Sequence, residues 1–422
     1  RPGRETRHWS PLPPPPTRWD STSGLPMTED LRRLKFVRGA DVYKAGILAG
    51  QLTRTDRGSV TFRYAHQYVG PDARPVATTL PVTTEPVESP SGALPAFFSG
   101  LLPEGHRLTV LKDAVKTSLG DELSLLLAVG ADVPGDVQVI PAGEQLVEQR
   151  PLADTSRPEE LDFAYLADAV DPHGLPGVQH KASASMMTTP LALAGRRYLL
   201  KLDPPQYPHL VLNEAVHLTG ARALKIPVAR HSVVTDRNGL PGLLVERFDR
   251  THDGGLVRLA LEDGAQVLNL PPASKYAVSS EQLVLALAGL CKAKAVATRN
   301  LYLQFVFAWL TGNGDLHAKN AAVLAGRDGG WSVAPVYDIP CTLLYGDDTL
   351  ALPVAGKVKG LKNRHWEEFA ATIGLPPRAA AAANALALKA AMGIDLDALP
   401  FSGSPLNGAR RELRFRRAQL AS

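Results

Sequence analysis

The chain has 422 residues, with 46 Lys and Arg against 42 Asp and Glu, a formal net charge of +4 and 45% hydrophobic residues. That length exceeds what one hydrophobic core usually serves, so two or more domains are expected. So mild a charge does not by itself indicate a nucleic-acid partner, and any basic surface must be local. The two cysteines, Cys291 and Cys341, form neither a zinc motif nor a disulfide framework, which fits a reducing compartment and makes the cytoplasm the expected location. The most apolar stretches, around 283–290 and 302–310, read as buried helices too short or too interrupted to cross a bilayer.

Residues 1–27 are rich in proline, arginine and serine and lack apolar periodicity, so a disordered extension is expected. Met27 stands just before the first patterned segment, so a misassigned start is one hypothesis for the residues before it. From 28 to 147, LKFVRG, VYKAGILAG, SVTFRYA and ATTLPV look like strands. LPAFFSGLLPEGHRLTVLKDAV and DELSLLLAVG look helical. The pattern predicts a compact α+β subdomain. A run from 148 to 159, with Pro151 and Pro158, marks its boundary.

Residues 160–250 form the second unit. The segment GLPGVQHKASAS, 174–185, could bring backbone amides and Lys181 toward phosphates, although glycine-bearing turns are far more often mere turns. In the strand RRYLLKL, alternation puts Tyr198, Leu200 and Leu202 on one face and Leu199 with Lys201 on the other. Lys201 can reach a nucleotide phosphate and pair with Glu214 in the helix that starts near Asn213; a surface ion pair contributing little is the alternative. Two further strands joined at Asn238 and Gly239 end in Glu246, Arg247 and Phe248. In a kinase-like order of elements the backbone there would run past an adenine; taken alone, an ion-paired strand end fits equally well.

Residues 251–422 carry the chemistry-bearing motif. Residues 315–320 read DLHAKN, and eighteen residues after Asn320 comes Asp338. An Asp that can accept a hydroxyl proton, an Asn five residues on and a second Asp beyond a hairpin supply a base and the hard oxygens that magnesium wants. Asp315 is the candidate base, with Asn320 and Asp338 the metal pair. The strands on either side of Asp328 and Gly329 would fold Asp338 back toward Asn320. A polar loop capping a buried helix is the competing explanation. NRHWEEFAATIG reads as a helix with Asn363 as N-cap and Gly374 as stop, followed by an alanine-rich helix over 377–392. The basic ARRELRFRRAQL reads as a solvated helix face, with an acidic partner or DNA as the alternative.

Taken in order, GVQHK, LNEAV, VERFDR, RLALEDGAQ, SKYA, GNGDLHAKN and APVYDI resemble the kinase core of the HipA-type serine/threonine kinases, toxins of bacterial toxin–antitoxin pairs. LPAFFSGLLPEGHRL and LLLAVGADVPGDV are similar to that family's N-terminal subdomain, and the likeness spans about residues 34–375. The resemblance implies a mixed α+β and α/β chain, with a two-lobed protein-kinase-like core, an N-terminal α+β subdomain and an α-helical C-terminal lobe. It implies ATP and magnesium as cofactors, Asp315 as proton acceptor, Asn320 and Asp338 as magnesium ligands, and Lys201 holding phosphates. Val178, Gln179, His180, Lys181, Ala182 and Ser183 would face the phosphates. Glu246, Arg247 and Phe248 would form the adenine-binding connection, with His317, Lys319 and Tyr337 as further nucleotide contacts.

The implied substrate is a translation component such as an aminoacyl-tRNA synthetase. The implied partner is a small HipB-like helix-turn-helix antitoxin, so that DNA is met only through it and no membrane is involved. Pro176 stands where the family carries a self-phosphorylated serine, which puts that self-inactivation in doubt; Ser183 and Ser185 lie nearby. Leu261 replaces a common glutamine before Glu262 and Asp263. A kinase of a small molecule or lipid head group, and a nucleotide-binding co-repressor without turnover, remain open beside the protein kinase.

Overall fold

A computed structural model describes residues 31–90, 92–148, 155–168, 187–193 and 196–421. The extension 1–27, the loop residues 178–183, Pro176 and Ser185 lie outside the described residues. The N-terminal part is an antiparallel sheet built from β1 (Gly39–Lys44), β2 (Ile47–Arg54), β3 (Val60–Tyr64), β4 (Val87–Ser89) and β5 (Val137–Pro141), in the order β4-β3-β2-β1-β5. Ala40, Val42, Leu52, Val60 and Phe62 alternate onto its buried face, where helices α1 (Ala96–Gly100), α2 (Gly105–Val115) and α3 (Glu122–Val129) cover them.

VYKAGILAG is not one strand but a hairpin that turns at Ala45 and Gly46, which take φ of +50° and +79°. LKFVRG is a 3₁₀ turn (Arg33–Phe36) leading into β1, and ATTLPV contributes only an isolated bridge between Ala77 and Leu80. The long helix expected from LPAFFSGLLPEGHRLTVLKDAV breaks between Gly100 and Gly105. Pro103 accounts for the break, because proline disfavours helical backbone at the residue before it.

The core begins with a short helix α4 (Phe163–Asp168) and a second antiparallel sheet, β6 (Met187–Leu193), β7 (Arg196–Leu202), β8 (His231–Thr235) and β9 (Pro241–Glu246), ordered β6-β7-β9-β8. Phe163, Leu166, Leu200, Leu202 and Leu244 pack on one face. On the other face Leu243 and Val245 meet α5 (Leu210–Ala221). That helix starts earlier than the sequence suggests, because Asp203 accepts from the His209 and Val211 amides at 2.7 Å each and caps its first turn.

A hairpin, β10 (Arg250–His252) and β11 (Leu256–Arg258), leads to a three-stranded sheet of β12 (Leu261–Asp263), β13 (Ala322–Ala325) and β14 (Trp331–Val333). Asp263 and Gln266 form a capping box at the start of α6 (Gly264–Val267). The helical lobe comprises α7 (Ser280–Leu290), α8 (Lys294–Thr311), α9 (Asn363–Thr372), α10 (Pro377–Met392) and α11 (Gly403–Ala421). Every residue from Leu301 to Thr311 on α8 is buried, so this stretch of the helix is enclosed on all sides and forms the centre of the lobe.

Among the described residues, Pro377–Ala398 is the helical stretch long and apolar enough to cross a membrane. Its Ala380, Ala383, Ala387, Ala390 and Ala391 nevertheless lie in the same buried cluster as α8. The basic α11 is not wholly a solvated face: Arg416 is buried, with its guanidinium 3.8 Å over the Trp309 ring and donating to the Trp309 and Asp348 carbonyls.

Candidate active site

Helix α8 ends at Gly312, in a left-handed conformation at φ +74°, and the chain passes through Asn313 and Gly314 to Asp315. Gly314 admits no side chain, since a Cβ there would lie 2.5 Å from the Asp347 carboxylate and 2.6 Å from the Thr349 carbonyl. Asp315 is thereby delivered into a buried position. Its amide donates to Asn313 Oδ1 at 2.9 Å, and Asn320 Nδ2 donates to its carbonyl at 2.8 Å, which closes the loop on itself. Asn320 leads into β13, and the β13–β14 hairpin carries the chain back to Tyr337, whose hydroxyl donates to the Lys319 carbonyl at 2.7 Å.

Asp338 follows at φ +52° and receives the Lys201 ammonium. That ammonium also donates to both oxygens of Glu214, at 2.8 and 3.0 Å. Burial alone would weaken the hold of Lys201 on its proton, but the Asp338 and Glu214 carboxylates outweigh it and raise its pKa. Burial pushes the Glu214 carboxyl up to about 7 against the pull of Lys201, and the negative charge of the nearby Asp338 carboxylate adds to the rise.

A clamp holds this cluster in register. Asn213, the neighbour of Glu214, donates to the Cys341 carbonyl at 3.0 Å and accepts from the Cys341 amide at 2.9 Å. Helix α5 and the segment after Asp338 are therefore tied side by side. The sequence reading missed Asn213, although LNEAV places it beside the expected glutamate.

The remaining expected residues fall in two groups. His317 lies at the site, accepting from the Lys319 amide at 3.2 Å, with Nε2 3.9 Å from Asp315. Phe248 and Tyr337 approach with ring centroids 5.7 Å apart and form an aromatic wall. Lys319 turns away toward the N-terminal part and donates to the Gly100 carbonyl at 2.8 Å and to Asp263 at 3.1 Å.

Glu246 pairs with Arg196 and Arg230, and the Glu246 and Arg247 amides are taken by the carbonyls of Arg230 and Arg197. The Arg247 guanidinium enters a buried ion cluster with Asp132, Asp249 and Arg250. Burial would raise the Asp249 carboxyl, but Arg247 and Arg250 win and hold it down at about 2. Tyr276, from SKYA, is a further residue that the sequence reading left without a role: its hydroxyl donates to Asp315 Oδ1 at 3.2 Å.

Residues 173–393 match the family model of the HipA-like C-terminal domain, and residues 40–140 that of the HipA N-terminal domain. The chain belongs to the HipA family. It is 30% identical to "Putative kinase Y4mE" of Sinorhizobium fredii, over 81% of this chain and 87% of that protein. It is 26% identical to the serine/threonine-protein kinase toxin HipA of Shewanella oneidensis, over 67% of this chain and 70% of that one. The HipA chain in a Shewanella oneidensis complex of HipA, HipB and operator DNA shares the fold, with a TM-score of 0.72 at 20% identity, over 90% of this chain and 97% of that one. Kinase is the activity that the relatives' names share, and this HipA-family chain takes its place among them.

Proposed function

We propose that this HipA-family chain is an ATP- and magnesium-dependent protein serine/threonine kinase. The observation that carries this reading is the Lys201 ammonium bridging Glu214 and Asp338, with Asp315 and Asn320 locked together on the adjoining loop. Asn320 and Asp338 offer one amide and one carboxylate oxygen. Among the described residues no group of three or more His, Cys, Asp or Glu could hold a metal ion. So sparse a set of hard oxygens suits magnesium, which keeps waters and takes phosphate oxygens for the rest of its shell. Once bound, the ion would neutralise charge on the transferred phosphoryl group.

Lys201 would orient the phosphates. Phe248 and Tyr337 would offer an apolar wall to the base. Asp315 would take the acceptor hydroxyl's proton. The organisation that goes with this is an N-terminal subdomain over 28–147, a nucleotide-binding lobe over 160–250 and a helical lobe over 251–422.

The partner reading rests on the Shewanella relative, whose complex contains HipB and operator DNA: a HipB-like antitoxin in the cytoplasm, with DNA met through it. A translation component such as an aminoacyl-tRNA synthetase is the substrate class that the family resemblance suggests. The test is transfer of labelled γ-phosphate from Mg-ATP into host lysate by wild type and by Asp315→Asn. An Asp315-dependent labelled protein is the expected result, at least about a hundredfold above the variant. Labelling that persists in Asp315→Asn, or nucleotide binding with no labelled protein, overturns the protein-kinase reading.

A further inference from the structure

Asp315 is 1% exposed, so no acceptor reaches it without something first moving aside. The Tyr276 hydroxyl holds Asp315 Oδ1 at 3.2 Å, while Tyr276 itself remains 38% exposed. An alcohol placed on the candidate base is the same contact that a serine or threonine acceptor has to make. In the transfer step the acceptor gives its proton to Asp315 as its oxygen bonds to the γ-phosphorus and ADP leaves, and an acceptor that approaches Oδ1 competes there with the phenol.

The ring is held by its neighbours. Its edge meets His317 at 5.1 Å between centroids and 83° between planes. The Lys275 ammonium lies 5.3 Å from the ring centroid and is anchored to Glu104 at 2.6 Å. The Lys275 carbonyl accepts from the Ala318 amide at 3.2 Å, which ties the tyrosine's backbone to the Asp315 loop. Glu104 lies in the break between α1 and α2, so the N-terminal part sets the rest position of the tyrosine. Burial, and then the Asp315 carboxylate, raise the phenol's pKa well above its ordinary value. The phenol thus stays a neutral donor at any working pH, and ionisation does not release it.

We propose that Tyr276 is an acceptor gate, its phenol occupying on Asp315 the place that a protein substrate's hydroxyl takes and swinging toward solvent to admit it. The inference rests on the kinase reading above. Tyr276→Phe keeps the ring against His317 and removes the competing hydroxyl alone.

The test is initial-rate kinetics of labelled phosphate transfer from Mg-ATP to myelin basic protein, and to water as ADP release, for wild type, Tyr276→Phe and Asp315→Asn. Loss of a hydrogen bond to a charged group lowers the acceptor KM of Tyr276→Phe by about ten- to a hundredfold, with kcat held within about twofold. A fall in kcat at unchanged KM makes Tyr276 a support for Asp315 and overturns the gate, as does a variant with both constants unchanged. A wild type that transfers to neither acceptor overturns the kinase reading and the gate with it. Failure of the gate alone is recognised by Asp315-dependent transfer that Tyr276→Phe does not improve.

Discussion

Glu214 sits with both oxygens on Lys201 and no exposure to solvent, so its stability depends on keeping that ammonium. Lys201→Met leaves a buried carboxylate without its cation, a loss of about 3–5 kcal/mol for a broken buried pair. The expected outcome is a large drop in the urea midpoint; a midpoint within error of wild type refutes the assignment. One turn further along α5, His217 donates from Nδ1 to the Asn213 carbonyl at 2.8 Å, and burial lowers its pKa to about 4.

The folded-state pKa of His217 lies below that of the unfolded chain, so its favourable term is fully present above about pH 6.5 and is lost as pH falls toward 4. That loss reaches about 3 kcal/mol across the window. Urea midpoints measured at pH 7 and pH 4.5 are expected to fall more steeply for wild type than for His217→Leu. Equal slopes would show that the imidazole is not buried in its neutral form.

The Asn213 clamp acts between elements rather than within one. Asn213→Ala strands the amide and carbonyl of Cys341 in a buried segment, at a cost of about 2–3 kcal/mol. It also frees α5 to slide relative to Asp338, so nucleotide affinity is expected to fall together with stability. Calorimetric titration with Mg-ATP and thermal unfolding measure the two; an intact nucleotide affinity would show that the clamp is structural alone.

Elements whose period agreed with their burial were legible in the sequence. RRYLLKL appears as β7 without adjustment, the strands meeting near Asn238 and Gly239 appear as β8 and β9, and the Asp328–Gly329 turn joins β13 to β14. What escaped had two causes. The Gly100–Gly105 break was written locally in Pro103, but the apolar periodicity that continues straight through it masked that signal; elsewhere tertiary contact decided. Arg416 reads as one more solvated arginine until Trp309 is placed beneath it. At the site, Asp315, Asn320, Asp338 and Lys201 stand out by residue type and spacing. Asn213 and Tyr276 do not, because nothing local distinguishes a clamp or a cover from any other polar side chain.

Across the whole molecule, the N-terminal part is fastened to the core by groups that belong to neither part alone. Glu262 accepts from the Thr78 amide and hydroxyl at 2.8 and 2.6 Å, Gln266 donates to the Phe97 carbonyl at 2.9 Å, and Asp249 accepts from the Gly135 amide at 2.8 Å. Asp249→Ala leaves Arg247 and Arg250 underpaired at this junction, costing about 3–5 kcal/mol. Limited proteolysis is expected to release the N-terminal part from this variant well before wild type; identical digestion would show that the ion cluster does not hold the junction.

The interruption between α1 and α2 has a bearing on how such a chain can be taken apart. Ending α1 at Gly100 frees a carbonyl for Lys319, and the bend places Glu104 against Lys275. A shortened gene product beginning after residue 147 would thus lose more than a neighbouring fold. Its loop carrying Asp315 would be without its lateral stop and Tyr276 without its anchor. The two halves are therefore expected to be inherited, transplanted and engineered only as a single piece.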